Sequence, residues 1–194
     1  MNLIDNVSVT SRSFSRHPIL RQELLSKYAK VSFNVDGIKL AGKELVEFLN
    51  GHSKAITALE TIDRDLLGQL PDLKVISKYG VGVDMIDMTA LREHSIAFGY
   101  TGGVNRRSVS ELTIACAISL LRHIPQAHSE TKNGTWQQIV GNQLSDQVVG
   151  IIGCGHIGKD LAVLLRAFGC KVLANDILDF PDFYREHGVV PLTL

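Results

Sequence analysis

Near its C-terminal end the chain runs Val148-Val149-Gly150-Ile151-Ile152-Gly153-Cys154-Gly155-His156-Ile157-Gly158-Lys159, an apolar strand opening into G-x-G-x-x-G and then a helix. No other segment constrains the fold as tightly. Gly153 is placed to make the tight turn, Gly155 to let backbone approach a pyrophosphate, and Gly158 to let helix pack on strand. Amides at the start of the helix beginning near His156 then face the phosphates, where unsatisfied N–H groups and the helix dipole favour negative charge. After the helix Ile157 to Phe168 and the stop at Gly169, a second strand, Lys171 to Asp176, ends in an acid. Asp176 follows Gly158 by 18 positions, close to the offset of about 20 at which an acid meets the adenosine ribose hydroxyls. A carboxylate there repels a 2'-phosphate, so NAD is favoured over NADP. The competing reading is a glycine-rich turn with an incidental acid at a strand end.

Of the 194 residues, 45% are hydrophobic and 21% charged, the range of a soluble globular α/β chain of one or two domains. Twenty basic and twenty acidic side chains leave the formal charge at zero, so no electrostatic footprint for nucleic acid or an anionic membrane is expected. Cys116, Cys154 and Cys170 are scattered through apolar patterns, which fits reduced structural thiols. The seven histidines, among them His123 and His128, lack metal-ligand spacing, and no metal is expected. The N-terminus has no leader pattern and no stretch is apolar enough to span a bilayer. A cytoplasmic protein with small-molecule partners is the expectation.

Short apolar runs alternate with helical patterns, the signature of βαβ units around a parallel sheet. Strands are expected at residues 7–10, 30–33, 54–59, 73–77 and 96–98. Helices are expected at 18–28, 41–49, from a cap at Asp63 to Leu70, and at 87–94. From Arg107 to Leu121 apolar groups fall almost all round a helix, which predicts a buried element packed between two domains, with the boundary near Tyr100 to Asn105. A first domain at 1–104 and a second at 105–194 follow. The second holds strands at 148–152, 171–176 and 188–190 and a helix at 182–187, the content of one mononucleotide-binding half where a dinucleotide fold has two.

Two further loops carry chemistry. Lys78-Tyr79-Gly80-Val81-Gly82-Val83-Asp84 follows the fourth strand, and its glycines bracket amides able to point one way, a nest suited to an anion. Ligands in open α/β sheets bind beyond the carboxyl ends of strands, and a carboxylate is the candidate here. Lys78 adds positive charge, and Asp84 could cap the helix that follows or hold the loop's shape. A plain turn using glycine for positive φ is the alternative. In the loop Thr101 to Glu111, the Asn105 amide both donates and accepts and could orient a substrate acid and a cofactor carboxamide, while Ser108 and Glu111 read as a capping box.

Taken together, Lys78 to Asp87 (KYGVGVDMID), Asn105 to Leu112 (NRRSVSEL), Gly134-Thr135-Trp136, and Val149 to Gly158 (VGIIGCGHIG) with Asp176 mark a resemblance covering nearly the whole chain. The sequence resembles the D-isomer-specific 2-hydroxyacid dehydrogenases, and within them the phosphoglycerate dehydrogenase-like branch. The resemblance implies a flavodoxin-like substrate domain plus the first, incomplete half of a Rossmann NAD-binding domain. It implies hydride transfer between a D-2-hydroxy acid and NAD, and a homodimer formed largely through cofactor domains. By motif match, Lys78, Tyr79, Gly80, Val81, Gly82 and Asn105 would bind the 2-hydroxy or 2-oxo acid. Gly153, Gly155, His156, Ile157, Gly158 and Asp176 would bind NAD. Ser110 stands where the family usually has Ala. The family's catalytic Arg, Glu and His come from the second half of the cofactor domain and match no position here, so the chain is expected to be truncated and inactive alone. An NAD(H)-binding sensor or corepressor-like module is the alternative of a different class.

Overall fold

The computed structural model describes residues 6–193; residues 1–5, where no leader was expected, and residue 194 lie outside that range. In chain order the first part forms β1 (Asn6–Val9), α1 (Arg12–Arg16), α2 (Pro18–Lys27), β2 (Lys30–Phe33), α3 (Gly42–Leu49), β3 (Lys54–Thr57), α4 (Arg64–Leu67), β4 (Val75–Lys78), α5 (Met88–Glu93) and β5 (Ala97–Gly99). Every pairing is parallel and the order is β2-β1-β3-β4-β5, the flavodoxin-like arrangement with its switch point between β1 and β3. Parallel neighbours need a crossover, and the intervening helices supply it. Consecutive strand side chains face opposite sides of the sheet. In β3, Ala55 accordingly packs with Leu45, Leu49, Ile76 and Leu91, whereas Ile56 packs against Val7, Val9 and Phe14. Both faces are covered by helices.

Local chemistry sets several helix starts. Asp63 accepts from the Leu66 amide at 2.9 Å and begins α4. Asp87 accepts from the Thr89 and Ala90 amides at 3.0 and 2.9 Å and begins α5. Of the two roles expected of Asp84, capping is not the one it takes, because the helix starts at Met88, four residues later, and Asp87 fills the N-cap.

The second part forms α6 (Arg106–Leu121), α7 (Ile124–Lys132), β6 (Val148–Ile152), α8 (His156–Ala167), β7 (Lys171–Asn175), α9 (Pro181–His187) and β8 (Val190–Pro191). Its three parallel strands run in the order β6-β7-β8, one mononucleotide-binding half. Ile114, Ile151, Ala162, Leu165, Val172 and Ala174 share its core. Two compact units divide the chain, the first ending at Gly102 and the second beginning at Gly103.

Three expectations need correction. Helix α6 is not buried on all sides: Ser110 and Ile114 are buried, but Leu112 and Leu120 are 63% and 72% exposed and Cys116 is exposed too. Apolar composition without a clear period fails to show which side is covered, and here the covered side is the one packed on α8. The capping box is also absent. Asn105 occupies the N-cap, which moves Ser108 to the third helical position, where its hydroxyl donates to the Asn105 carbonyl at 2.9 Å. Finally, α1 and α7 were not expected at all.

Candidate functional site

The loop after β4 is built on backbone. Tyr79 donates its amide to the Thr57 carbonyl at 2.8 Å, which continues the β3–β4 ladder one step past the strand end. Gly80 then takes φ +133, a conformation L side chains rarely adopt. The Val81 carbonyl accepts the Tyr100 hydroxyl at 2.8 Å. In a trans peptide the carbonyl and the following N–H point to opposite sides, so the Gly82 N–H is turned away from Tyr100. Among the described residues the amides of Gly80, Val81 and Gly82 have no acceptor. Three free donors in one glycine-bracketed loop can hold an anion. The Lys78 ammonium donates to the Ala58 carbonyl and lies 3.2 Å from Met85 Sδ. Burial lowers its pKa, with Glu60 and Asp84 pulling the other way. Lys78 therefore contributes charge to the loop's surroundings from an anchored position. Asp84 faces Gly82 rather than the helix, with Oδ2 at 3.9 Å from where a Gly82 Cβ would stand.

In the glycine turn after β6, Gly153 and Gly158 take the turn and packing roles their spacing suggests. Gly153 has φ +94, and its amide donates to the Asn175 carbonyl at 2.8 Å. A Cβ on Gly158 would stand 2.1 Å from the Gly153 carbonyl oxygen, so only hydrogen permits this contact of helix with turn. A Cβ on Gly155 would meet nothing within 4 Å. Gly155 is the N-cap of α8 and offers no capping side chain. The first-turn N–H groups from His156 onward are consequently open to a ligand. The His156 ring rests on Gly103, whose φ of +70 and missing side chain make the space for it.

Asp176 locks this turn. Its Oδ2 accepts the Cys154 amide at 2.5 Å and its Oδ1 accepts the Leu178 amide at 2.9 Å. The Leu178 bond leads the effects that hold its pKa below the usual carboxylate value; burial opposes it, while the Cys154 bond and Lys159 assist. Lys159 lies 3.3 Å above the Phe180 ring centroid. Asn105 keeps a buried Oδ1 that accepts nothing among the described residues, an acceptor waiting for a donor.

Several contributors escaped the sequence reading. Tyr100 sets the direction of the Val81–Gly82 peptide. Ser110, fully buried, donates to the Ile157 carbonyl at 3.3 Å, and Arg107 pairs with Asp160 at 2.9 Å, so α6 is tied to the first turns of α8. Each partner is far away in sequence, and the one sign was a Ser at 110 where the family usually has Ala. Among the described residues no three His, Cys, Asp or Glu side chains are grouped to hold a metal, and no helix is long and apolar enough to cross a membrane.

Comparison with known proteins gives the site a context. The family model for the D-isomer specific 2-hydroxyacid dehydrogenase catalytic domain matches residues 9–184. The D-3-phosphoglycerate dehydrogenase of Sus scrofa is 31% identical over 163 residues, covering 82% of this chain and 31% of the relative. That of Bacillus subtilis is 37% identical over 117 residues, or 59% of this chain and 22% of the relative. The chain thus spans about a third or less of these relatives' length. Among solved structures, the Aquifex aeolicus D-lactate dehydrogenase complexed with NAD and lactic acid superposes with a TM-score of 0.79 at 23% identity, covering 97% of this chain and 56% of that one. The Escherichia coli D-lactate dehydrogenase superposes with a TM-score of 0.79 at 19% identity, covering 98% and 60%. These two likenesses concern the fold.

Proposed function

The chain belongs to the D-isomer-specific 2-hydroxyacid dehydrogenase family, and on that premise we propose that it supplies the acid-holding and phosphate-gripping parts of an NAD-linked oxidoreductase of small 2-hydroxy and 2-oxo acids. The observation that carries the reading is the turn at Gly153 to Gly158, where open space above Gly155 meets the free first-turn amides of α8. A pyrophosphate fits that cradle. Asp176 has spent one lone pair on each oxygen, and a carboxylate offers about four acceptor sites in all, so capacity for ribose hydroxyls remains. Its charge, held ionised by backbone donors, opposes a 2'-phosphate and favours NAD. Bound NAD would supply the hydride acceptor.

In this reading the substrate carboxylate sits on the Val81 and Gly82 amides, within reach of positive charge on Lys78, beside Tyr79 and Gly80. Asn105 would orient the acid or the cofactor carboxamide with its unpaired Oδ1. Proton exchange needs a group within hydrogen-bond reach of the substrate hydroxyl. Among the described residues the one histidine–carboxylate pair is His187 with Glu186 at 3.8 Å, neighbours at the end of α9, which does not suit that task. Binding without turnover is therefore expected of the 194 residues. The assembly we infer is a homodimer. Fluorescence titration with NADH and NADPH tests the cofactor: NADH should saturate, NADPH should bind at least tenfold more weakly, and Asp176→Ala should narrow the gap. Equal affinity for the two, or none for either, would sink the assignment.

A further inference from the structure

The peptide between Val81 and Gly82 carries two groups that decide what the loop after β4 can hold: the Val81 carbonyl and the Gly82 N–H. Among the described residues the carbonyl has one hydrogen-bond partner, the Tyr100 hydroxyl at 2.8 Å, and the N–H has none. No other hydrogen bond of the described residues fixes which way this peptide faces. Its flanks permit both directions. A peptide turns over when ψ of the residue before it and φ of the residue after it change together, the difference between type I and type II turns, and the second type needs φ > 0 at the later residue. Gly82 is that residue. Its φ lies outside the positive range that Gly80 occupies, yet glycine enters that range at no steric cost. After such a turn the Val81 carbonyl points where the Gly82 N–H points now. An acceptor then faces an anion in place of a donor.

Tyr100 is itself held in place. Strand β5 runs beside β4 with Gly99 level with Ser77. A Cβ on Gly99 would stand 3.3 Å from Ser77 Oγ, so the missing side chain lets the two strand ends close up. The next residue is Tyr100, whose ring centroid lies 6.0 Å from that of Phe98 with the planes only 13° apart. Such stacking restrains a side chain that would otherwise swing through water. The ring is exposed, so the hydroxyl can be removed without leaving a cavity in a core.

We propose that Tyr100 is a positioning residue whose hydroxyl latches the Val81–Gly82 peptide in the direction that offers its N–H to an anion. The proposal rests on the reading of this loop as the holder of the substrate carboxylate. Two measurements on the 194-residue chain separate them. Scalar couplings across residues 81 and 82 by NMR report the direction of the peptide without ligand, and calorimetric titration with glycolate reports the carboxylate site. The parent should show one direction. Tyr100→Phe keeps the ring and should show couplings averaged between two directions. It should bind glycolate about two- to fivefold more weakly, as the net worth of one hydrogen bond allows and a smaller competent fraction requires. Saturating glycolate should return those couplings to the parent values, because a ligand draws the population to the state that binds it. A residue that only supported the fold would not show that return. Tyr100→Phe/Gly82→Ala should recover a single direction, since alanine resists φ > 0 and the one atom its methyl would meet within 4 Å is Asp84 Oδ2 at 3.9 Å. Parent couplings kept in Tyr100→Phe, averaging that the alanine does not remove, or glycolate bound equally by parent and Tyr100→Phe overturns the proposal. Averaged couplings in Tyr100→Phe with glycolate ignored by the parent leave the latch standing and overturn the reading of the loop as a carboxylate holder.

Discussion

Gly155 and Gly158 stand three residues apart in one turn; packing requires the second, and the first we assign to a ligand. At Gly158 the neighbour a methyl would strike is the Gly153 carbonyl, 2.1 Å away and part of the backbone. Backbone in a packed turn cannot swing aside as a side-chain tip can, and forced overpacking costs about 1–3 kcal/mol. Gly158→Ala should therefore lower the melting temperature of its unit by roughly 10 °C and abolish NADH binding with it. Gly155→Ala adds a methyl to open space, so its stability should stay within about 0.5 kcal/mol of the parent. Its NADH affinity should nevertheless fall at least tenfold, because the methyl would occupy the space we propose for the pyrophosphate. A Gly155→Ala chain that binds NADH normally, or a Gly158→Ala chain that melts normally, would show that the glycines have been given the wrong roles. The demands at Gly153 and Gly158 were legible in the sequence because a backbone requirement leaves glycine as its mark. Tyr100 and Ser110 left no such mark, since a hydroxyl that reaches a distant carbonyl looks like any other hydroxyl.

Elements were legible where a local signal marks them rather than where they bury most: α2 has no buried residue, yet Pro18 at its start announces it. Strands β1 to β7 lie within a few residues of expectation because each is a short run rich in Val, Ile or Ala, whether covered as in β1 and β3 or largely exposed as in β6, where Val148 and Ile152 are 60% and 77% exposed. Helix α1 has five residues and α7 has none buried, so neither shows an apolar period to be read. Helix α6 misled in the opposite sense. Leu112, Cys116 and Leu120, spaced by four, share one exposed face, while Ser110 and Ile114 face inward. In the homodimer we propose, a second copy of this helix would cover that apolar stripe. Sedimentation at micromolar concentration should find a dimer. Leu112→Glu/Leu120→Glu should give a monomer with the parent's circular dichroism and melting temperature, because neither leucine contributes to its own core. A monomeric parent, or a variant still dimeric, would remove α6 from the interface.

At the scale of the whole molecule, strand order was the least legible property. Nothing local in residues 54–57 says that β3 pairs with β1 rather than with β2; the order β2-β1-β3-β4-β5 was reached through resemblance, because crossovers join strands across long stretches of sequence. The division into two units has a direct energetic counterpart. Leu45, Ile76 and Leu91, with Val7 and Val9, belong to cores made only of residues before Gly102, whereas Ala162, Leu165 and Val172 belong to one made only of residues after it. A core defect on one side should then leave the other side's packing intact. Ala162 is fully buried on α8, and an aspartate there would place an unpaired charge among apolar groups, at a cost of several kcal/mol. That is comparable with the whole stability of a small unit. In Ala162→Asp, hydrogen exchange followed by mass spectrometry should show β6 and β7 losing protection while amides of β1, β3 and β4 keep theirs, and glycolate should still bind the loop after β4. Loss of protection in both sets would mean that the units unfold as one, and that the loop after β4 depends for its shape on the second unit.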